Sequence, residues 1–193
     1  MLSLSLDHAA ELRPLEPWNA AEFAEFMDMH REFLAPWLPM AHRVSDVDSS
    51  ERLLRRFADR QATDSGRIYG IWDGGVLVGG TMFRVFETDV DSCELGVWLS
   101  PGAIGRGLVT RAAELMVDWA VYQRGMNRVG WLCDTRNEAS KAVARRLGMT
   151  HEGTLRQLYV VDGRRVDAEM WAVLADEWRA RESGDAIHCD GRK

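Results

Sequence analysis

The tightest constraint on this chain lies at its centre. A strand-like run, Cys93–Leu99, passes through Ser100-Pro101-Gly102-Ala103-Ile104-Gly105-Arg106-Gly107 into a helical run that begins at Leu108. A strand, a Gly-rich loop and a helix in succession demand a sheet covered by helices. The loop also frees backbone N–H groups at a helix start, where the helix dipole is positive. The segment therefore reads either as an anion or phosphate site or as a plain strand-to-helix turn. Two phosphate motifs fail on detail. There is no Gly-Lys-Ser/Thr, so this is not a Walker loop, and Thr110 stands where a dinucleotide fingerprint has its third Gly.

Around this centre the hydrophobic period changes in a definite order. Leu12–Leu15 reads as a short strand. Asn19 is placed to cap a helix carrying Phe23, Phe26, Met27, His30, Phe33 and Leu34, which Pro36 and Pro39 end in an apolar loop around Trp37. A second helix from about Asp48 turns Leu54, Phe57 and Ala58 inward. Ile68–Trp72 and Val76–Phe86 are strands joined by the hairpin turn Asp73-Gly74-Gly75, with a bulge or close approach expected at Gly79-Gly80. After the central helix come a strand Val129–Cys133, a helix Asn137–Leu147 and a hairpin of Thr154–Val161 and Val166–Val173 about Asp162-Gly163. The sum is a single mixed α/β domain over residues 1–182. Its sheet is mostly antiparallel and twisted, with helices on its faces and one parallel crossover in the middle. Residues 183–193 lose all periodicity and read as a disordered tail.

Composition narrows the function by exclusion. The chain has 193 residues and a net charge of −6, which argues against a nucleic-acid grip over the whole surface. No apolar run reaches the roughly 18 residues that span a bilayer, and Met1–Asp7 lacks the pattern of a secretory signal. Cys93, Cys133 and Cys189 match neither a disulfide framework nor a zinc site, and read as free thiols of a reducing cytoplasm. The five histidines have no metal-ligand spacing, so no metal is expected.

The run Glu94-Leu95-Gly96-Val97-Trp98-Leu99-Ser100-Pro101 with Gly105-Arg106-Gly107-Leu108-Val109-Thr110 resembles the acyl-CoA loop of the GNAT acyltransferase superfamily. Asn127-Arg128-Val129, Asn137-Glu138-Ala139-Ser140, Arg146-Leu147-Gly148-Met149 and Glu152–Arg156 resemble that family's following strand and helix. Arg31–Pro39 is similar to the RimJ/RimL branch, which acetylates protein N-termini and some small amines. The likeness spans roughly residues 10–180. It implies acyl-CoA at the splay of the central parallel strands, held by Val97, Trp98, Leu99, Ile104, Gly105, Arg106, Gly107, Leu108, Val109, Thr110, Asn137 and Ser140. One departure is that Gly102 stands where the family usually has Gln or Arg. Arg106 is expected to restore positive charge beside the phosphates.

Acyl transfer from a thioester to an amine needs a group to take the amine proton, a donor for the developing oxyanion, and a donor for the leaving thiolate. Strand alternation puts Glu94, Gly96 and Trp98 on one face. Glu94 is a carboxylate on an otherwise apolar strand, which fits either a catalytic group or a strand-end Glu paired with Arg. The resemblance implies a general base or an anchor for the substrate ammonium. Asn137, Ser140 and Lys141 share a helix face; Asn137 fits a simple N-cap, while the resemblance implies that it bonds the pantetheine arm and that Ser140 serves the thiolate. His30, Trp37 and Trp98 are candidate acceptor contacts, with the competing reading that they are core and rim residues. The expected activity is transfer of acetyl from acetyl-CoA to a small-molecule amine, a peptide or a protein N-terminus. Succinyl-CoA as donor and a non-catalytic acyl-CoA sensor stand as alternatives. The resemblance also implies a homodimer.

Overall fold

The computed structural model describes residues 3–161 and 163–188. The described strands form one eight-stranded sheet in the order β1-β2-β3-β4-β5-β6-β8-β7. They are β1 Leu4–Ser5, β2 Ala10–Pro14, β3 Arg67–Asp73, β4 Val76–Glu87, β5 Ser92–Leu99, β6 Arg128–Asp134, β7 Thr150–Val161 and β8 Arg164–Leu174. Every neighbouring pair is antiparallel except β5 and β6. The helices are α1 Ala20–Leu34, α2 Val47–Ala62, α3 Leu108–Asp118, α4 Glu138–Arg146 and α5 Ala175–His188.

The single-domain mixed fold expected from the hydrophobic periods is the one observed. Local chemistry explains most boundaries. Asp46 caps α2 by accepting from the Ser49 N–H at 2.7 Å. Asn19 precedes α1 but spends its side-chain oxygen on the Glu16 N–H at 3.1 Å, in the 3₁₀ turn before the helix. Gly74 and Gly75, both at positive φ, make the two-residue turn between β3 and β4. The Gly79-Gly80 pair permits a close approach: a Cβ on Gly80 would lie 2.2 Å from the Trp98 ring.

The helices sort to the two faces of the sheet. One core holds Phe23, Met27, Leu54, Phe57, Trp72 and Trp98, and is covered by α1 and α2. The other holds Phe83, Leu95, Leu108, Met116, Trp131, Leu147, Trp171 and Trp178, and is covered by α3, α4 and α5.

α5 runs to His188, into the stretch read as a tail from residue 183; the rest of that stretch, with Cys189, lies outside the described residues. β8 pairs with β6, so the closing hairpin returns into the sheet and leaves β7 on the edge. Asp162, expected in its turn, also lies outside the described residues. No helix among the described residues is long and apolar enough to cross a membrane.

Candidate active site

β5 and β6 pair in parallel only from Ser92/Arg128 to Leu95/Trp131. Beyond that point Gly96–Leu99 stays on β4 while Leu132–Asp134 stays on β8, so the two strands part. The Ser100 N–H bonds to the Val78 carbonyl at 2.8 Å, and the Gly96 carbonyl accepts the Thr81 hydroxyl at 3.1 Å. Alternation then directs the backbone N–H and C=O of Val97 and Leu99 into the gap. Such groups need partners, and an extended ligand can supply them as a strand would.

The loop after β5 completes a groove of donors. Pro101–Ala103 is one 3₁₀ turn, and Gly105 and Gly107 adopt left-handed φ of 89° and 73°. The first helical N–H bond of α3 runs from Arg111 to Gly107, at 3.0 Å. The amides of Leu108, Val109 and Thr110 are therefore the free N-terminal donors of an 11-residue helix. A Cβ built on Gly102 or Gly105 meets nothing, so the mouth of the loop is open. Ile104 is exposed there, whereas the Leu108 side chain is core.

Arg106 departs from expectation. Its guanidinium turns outward to Asp73 and Asp7, with Nη2 at 3.1 Å from each. Arg111 joins it, donating to the Arg106 carbonyl at 2.8 Å and to Asp7 at 3.3 Å. Asp7 accepts the Ala9 and Ala10 N–H groups, and these together with Arg106 hold its carboxyl down at about 2. The side chain of Arg106 thus ties the loop to Asp7 and Asp73.

Glu94 faces α1 and α2, and both of its oxygens are taken by Arg84, through Nε and Nη2 at 2.5 Å each. The β4–β5 register shifts at Arg84, the bulged residue opposite Glu94. Tyr159 lies near this pair: burial first, then the Glu94 charge, pushes its phenol up to about 12. The Arg-paired reading of Glu94 is thus the local geometry, and two of its lone-pair sites remain for a further partner.

On the opposite face, Asn137 caps α4 by accepting the Ser140 N–H at 3.0 Å. The Ser140 hydroxyl accepts from Trp131 Nε1 at 2.9 Å and lies beside Cys133, whose thiol burial raises to about 11. Glu94 and Ser140 therefore meet only across the opening between β5 and β6.

The acceptor candidates separate. Trp98 is 3% exposed and packs on Phe23 with ring centroids 6.2 Å apart, as a core anchor on the α1–α2 side, and its backbone faces β4. His30 is half-buried against Phe26, and burial lowers its pKa. Trp37 is 40% exposed, with the Arg136 guanidinium 5.8 Å from its ring. Periodicity missed Arg84 and Arg136. The first sits at a bulge and the second on a loop, where no period exists to mark them. No group of residues that would hold a metal occurs among the described residues.

Residues 10–150 match the family profile described as acetyltransferase (GNAT) domain. The chain is 26% identical over 187 residues to YdaF of Bacillus subtilis (strain 168), named a putative ribosomal N-acetyltransferase; the match covers 94% of this chain and 100% of that protein. It is 28% identical over 173 residues to the spermidine N(1)-acetyltransferase of Escherichia coli (strain K12), covering 90% of each. Among solved structures, RimL, a ribosomal-protein alpha-N-acetyltransferase in complex with coenzyme A, aligns at a TM-score of 0.85. That alignment has 22% identity over 91% of this chain and 99% of the other.

Proposed function

The chain belongs to the GNAT acetyltransferase family, and on that premise we propose that it moves an acetyl group from acetyl-CoA directly to a primary amine of a peptide, a protein N-terminus or a small molecule. The observation that carries this reading is the gap between β5 and β6 continuing into the open amides of the Gly105–Thr110 loop. A narrow strand-like slot ending in an anion nest suits a ligand with an amide-bearing arm and a pyrophosphate.

Bound acetyl-CoA supplies the activated thioester. Val97 and Leu99 hold the arm through their backbone groups, with the Asn137 side-chain amide beside it, and the amides from Gly105 to Thr110 hold the phosphates. An N–H of Val97 or Leu99 directed into the gap stabilises an oxygen that gains negative charge. Glu94, fixed by Arg84, orients the amine and relays its proton through water with its remaining lone pairs. Tyr159 stays protonated at neutral pH and, with Ser140, donates toward the departing sulfur.

The test is thiol release from acetyl-CoA over a panel of amines, with mass spectrometry of the acetylated product. Release that depends on the amine, with a matching mass increase, supports the transfer. CoA binding without release across the panel overturns it in favour of a sensor.

A further inference from the structure

The loop that carries the open amides has little packing of its own. Between Ala103 and Leu108, both buried, every residue is exposed. A Cβ built on Gly102 or Gly105 meets none of the described residues within 4 Å, and Gly105 and Gly107 hold left-handed φ. Glycines leave such a conformation as readily as they enter it, so apolar packing does not explain the shape of this segment.

Four charged side chains from separate parts of the chain do hold it. Asp7 is fixed in the β1–β2 turn, where its Oδ1 accepts the N–H groups of Ala9 at 2.9 Å and Ala10 at 2.8 Å. Its Oδ2 is left to receive Nη2 of Arg106 at 3.1 Å and Nη2 of Arg111 at 3.3 Å. Arg106 spans on to Asp73, with Nη2 3.1 Å from Oδ1 and Nη1 on Oδ2. Asp73 ends β3 opposite Ala10 of β2, so both acids stand on the sheet while both guanidinium groups belong to the loop and the first turn of α3.

Arg111 also acts on the backbone, donating from Nη2 to the Arg106 carbonyl at 2.8 Å. That carbonyl and the Gly107 N–H share one planar trans peptide unit, in which they point in opposite directions. Holding the carbonyl toward Arg111 therefore aims the Gly107 amide the other way. Single ion pairs at this exposure contribute little, but here four groups share partners and converge on one peptide plane.

We propose that Asp7 and Arg111 are positioning residues for the coenzyme: Asp7 steadies the two guanidinium groups, and Arg111 turns the Gly107 amide to where a phosphate is received. The loop is then set before the coenzyme arrives, and binding does not have to order it. This rests on the acetyl-transfer reading and adds how its donor site is prepared. Neither side chain serves the acyl group or the amine, so the effect falls on donor affinity and not on transfer.

Donors with and without phosphate separate positioning from general damage. Wild type, Asp7→Asn, Arg111→Met and Arg111→Lys are compared in calorimetric binding of CoA and in thiol release from two donors with one amine. The donors are acetyl-CoA and S-acetylpantetheine, which has the thioester and the arm but no phosphate. Asp7→Asn and Arg111→Met should each weaken CoA binding and raise the KM for acetyl-CoA by about five- to twentyfold, with kcat within about twofold of wild type. For S-acetylpantetheine, kcat/KM should stay within about twofold. Arg111→Lys, which keeps a donor for the carbonyl, should fall between. Because the two residues act in series, the double variant should lose much less than the product of the single losses. An equal loss with both donors marks damage to the fold and overturns the proposal. Unchanged CoA affinity in both single variants also overturns it, and leaves acetyl transfer standing where thiol is released. Weaker CoA binding in the variants of a protein that releases no thiol keeps the positioning role and removes acetyl transfer. No CoA binding to wild type removes both.

Discussion

At the scale of single residues, the decisive contact is the Arg84 fork on Glu94, because it sets how Glu94 can act. A carboxylate gripped at 2.5 Å by both guanidinium arms is fixed in place and retains only its outer lone pairs for a water or an ammonium. If Glu94 relays the amine proton, Glu94→Gln should lower kcat by roughly 10²-fold while the KM for acetyl-CoA stays put. Steady-state kinetics at neutral pH checks this, and near-normal turnover would remove the proton-relay role. Ser140 carries a different liability. Its hydroxyl is the partner of the buried Trp131 Nε1, so Ser140→Ala should cost about 1–3 kcal/mol of stability, read from urea unfolding, besides any effect on rate. Glu94 stood out in the chain as a carboxylate on an apolar strand and Asn137 as a cap, whereas Ser140 was marked only by the family resemblance. The role of Trp98 was not legible. Both faces of β5 are covered by helices, so alternation gave the face correctly but could not say that the face was closed core at that position.

At the scale of elements, the Gly-rich loop owes its shape to a strand of two residues. The β1–β2 turn brings Asp7 against Arg106 and Arg111, and Asp73 at the end of β3 completes the clasp. Nothing in the periodicity marks β1, since two residues hold no period, and the pairing of Arg106 with Asp7 was not legible for the same reason. Asp7 is held at about 2, below its usual 3.8, so the folded state favours the ionised form. The stability this contributes is complete above about pH 4 and is lost as the pH falls toward 2. Asp7→Asn lacks that titration. Wild type should therefore lose more Tm than Asp7→Asn between pH 4 and pH 2, as followed by circular dichroism. Equal losses would show that the clasp contributes nothing to the fold. The other elements were legible from Asn19 to Val173 to within a few residues. The pairing of β8 with β6 was not, because a hairpin's period is the same whichever strand faces inward.

At the scale of the whole molecule, one sheet separates two cores, and the site occupies the place where that sheet parts. Leu54, fully buried, anchors the α1–α2 side, and Trp178 anchors the other, donating from Nε1 to Asp118 at 2.7 Å and carrying Arg181 over its ring. α5 thereby ties α3 to the last strand, and Arg181 also donates to the carbonyls that end α4. If the sheet makes the two cores one cooperative unit, damage to either must move a single transition. Leu54→Ala removes buried methyl groups at about 2–5 kcal/mol, which for a chain of this size lowers Tm by roughly 4–20 °C. Trp178→Phe removes the indole donor and leaves the Asp118 carboxylate without that partner, at about 1–2 kcal/mol, and lowers Tm by roughly 2–8 °C. The two sites lie on opposite faces and share no described contact, so the double variant should sum within about 0.5 kcal/mol. Far-ultraviolet dichroism and tryptophan fluorescence should then trace coincident curves in all three variants. A split into two transitions, with the Leu54→Ala effect confined to the earlier one, would mean that the α1–α2 side melts on its own. The loop bearing Trp37, which follows α1, would then open without disturbing the gap between β5 and β6.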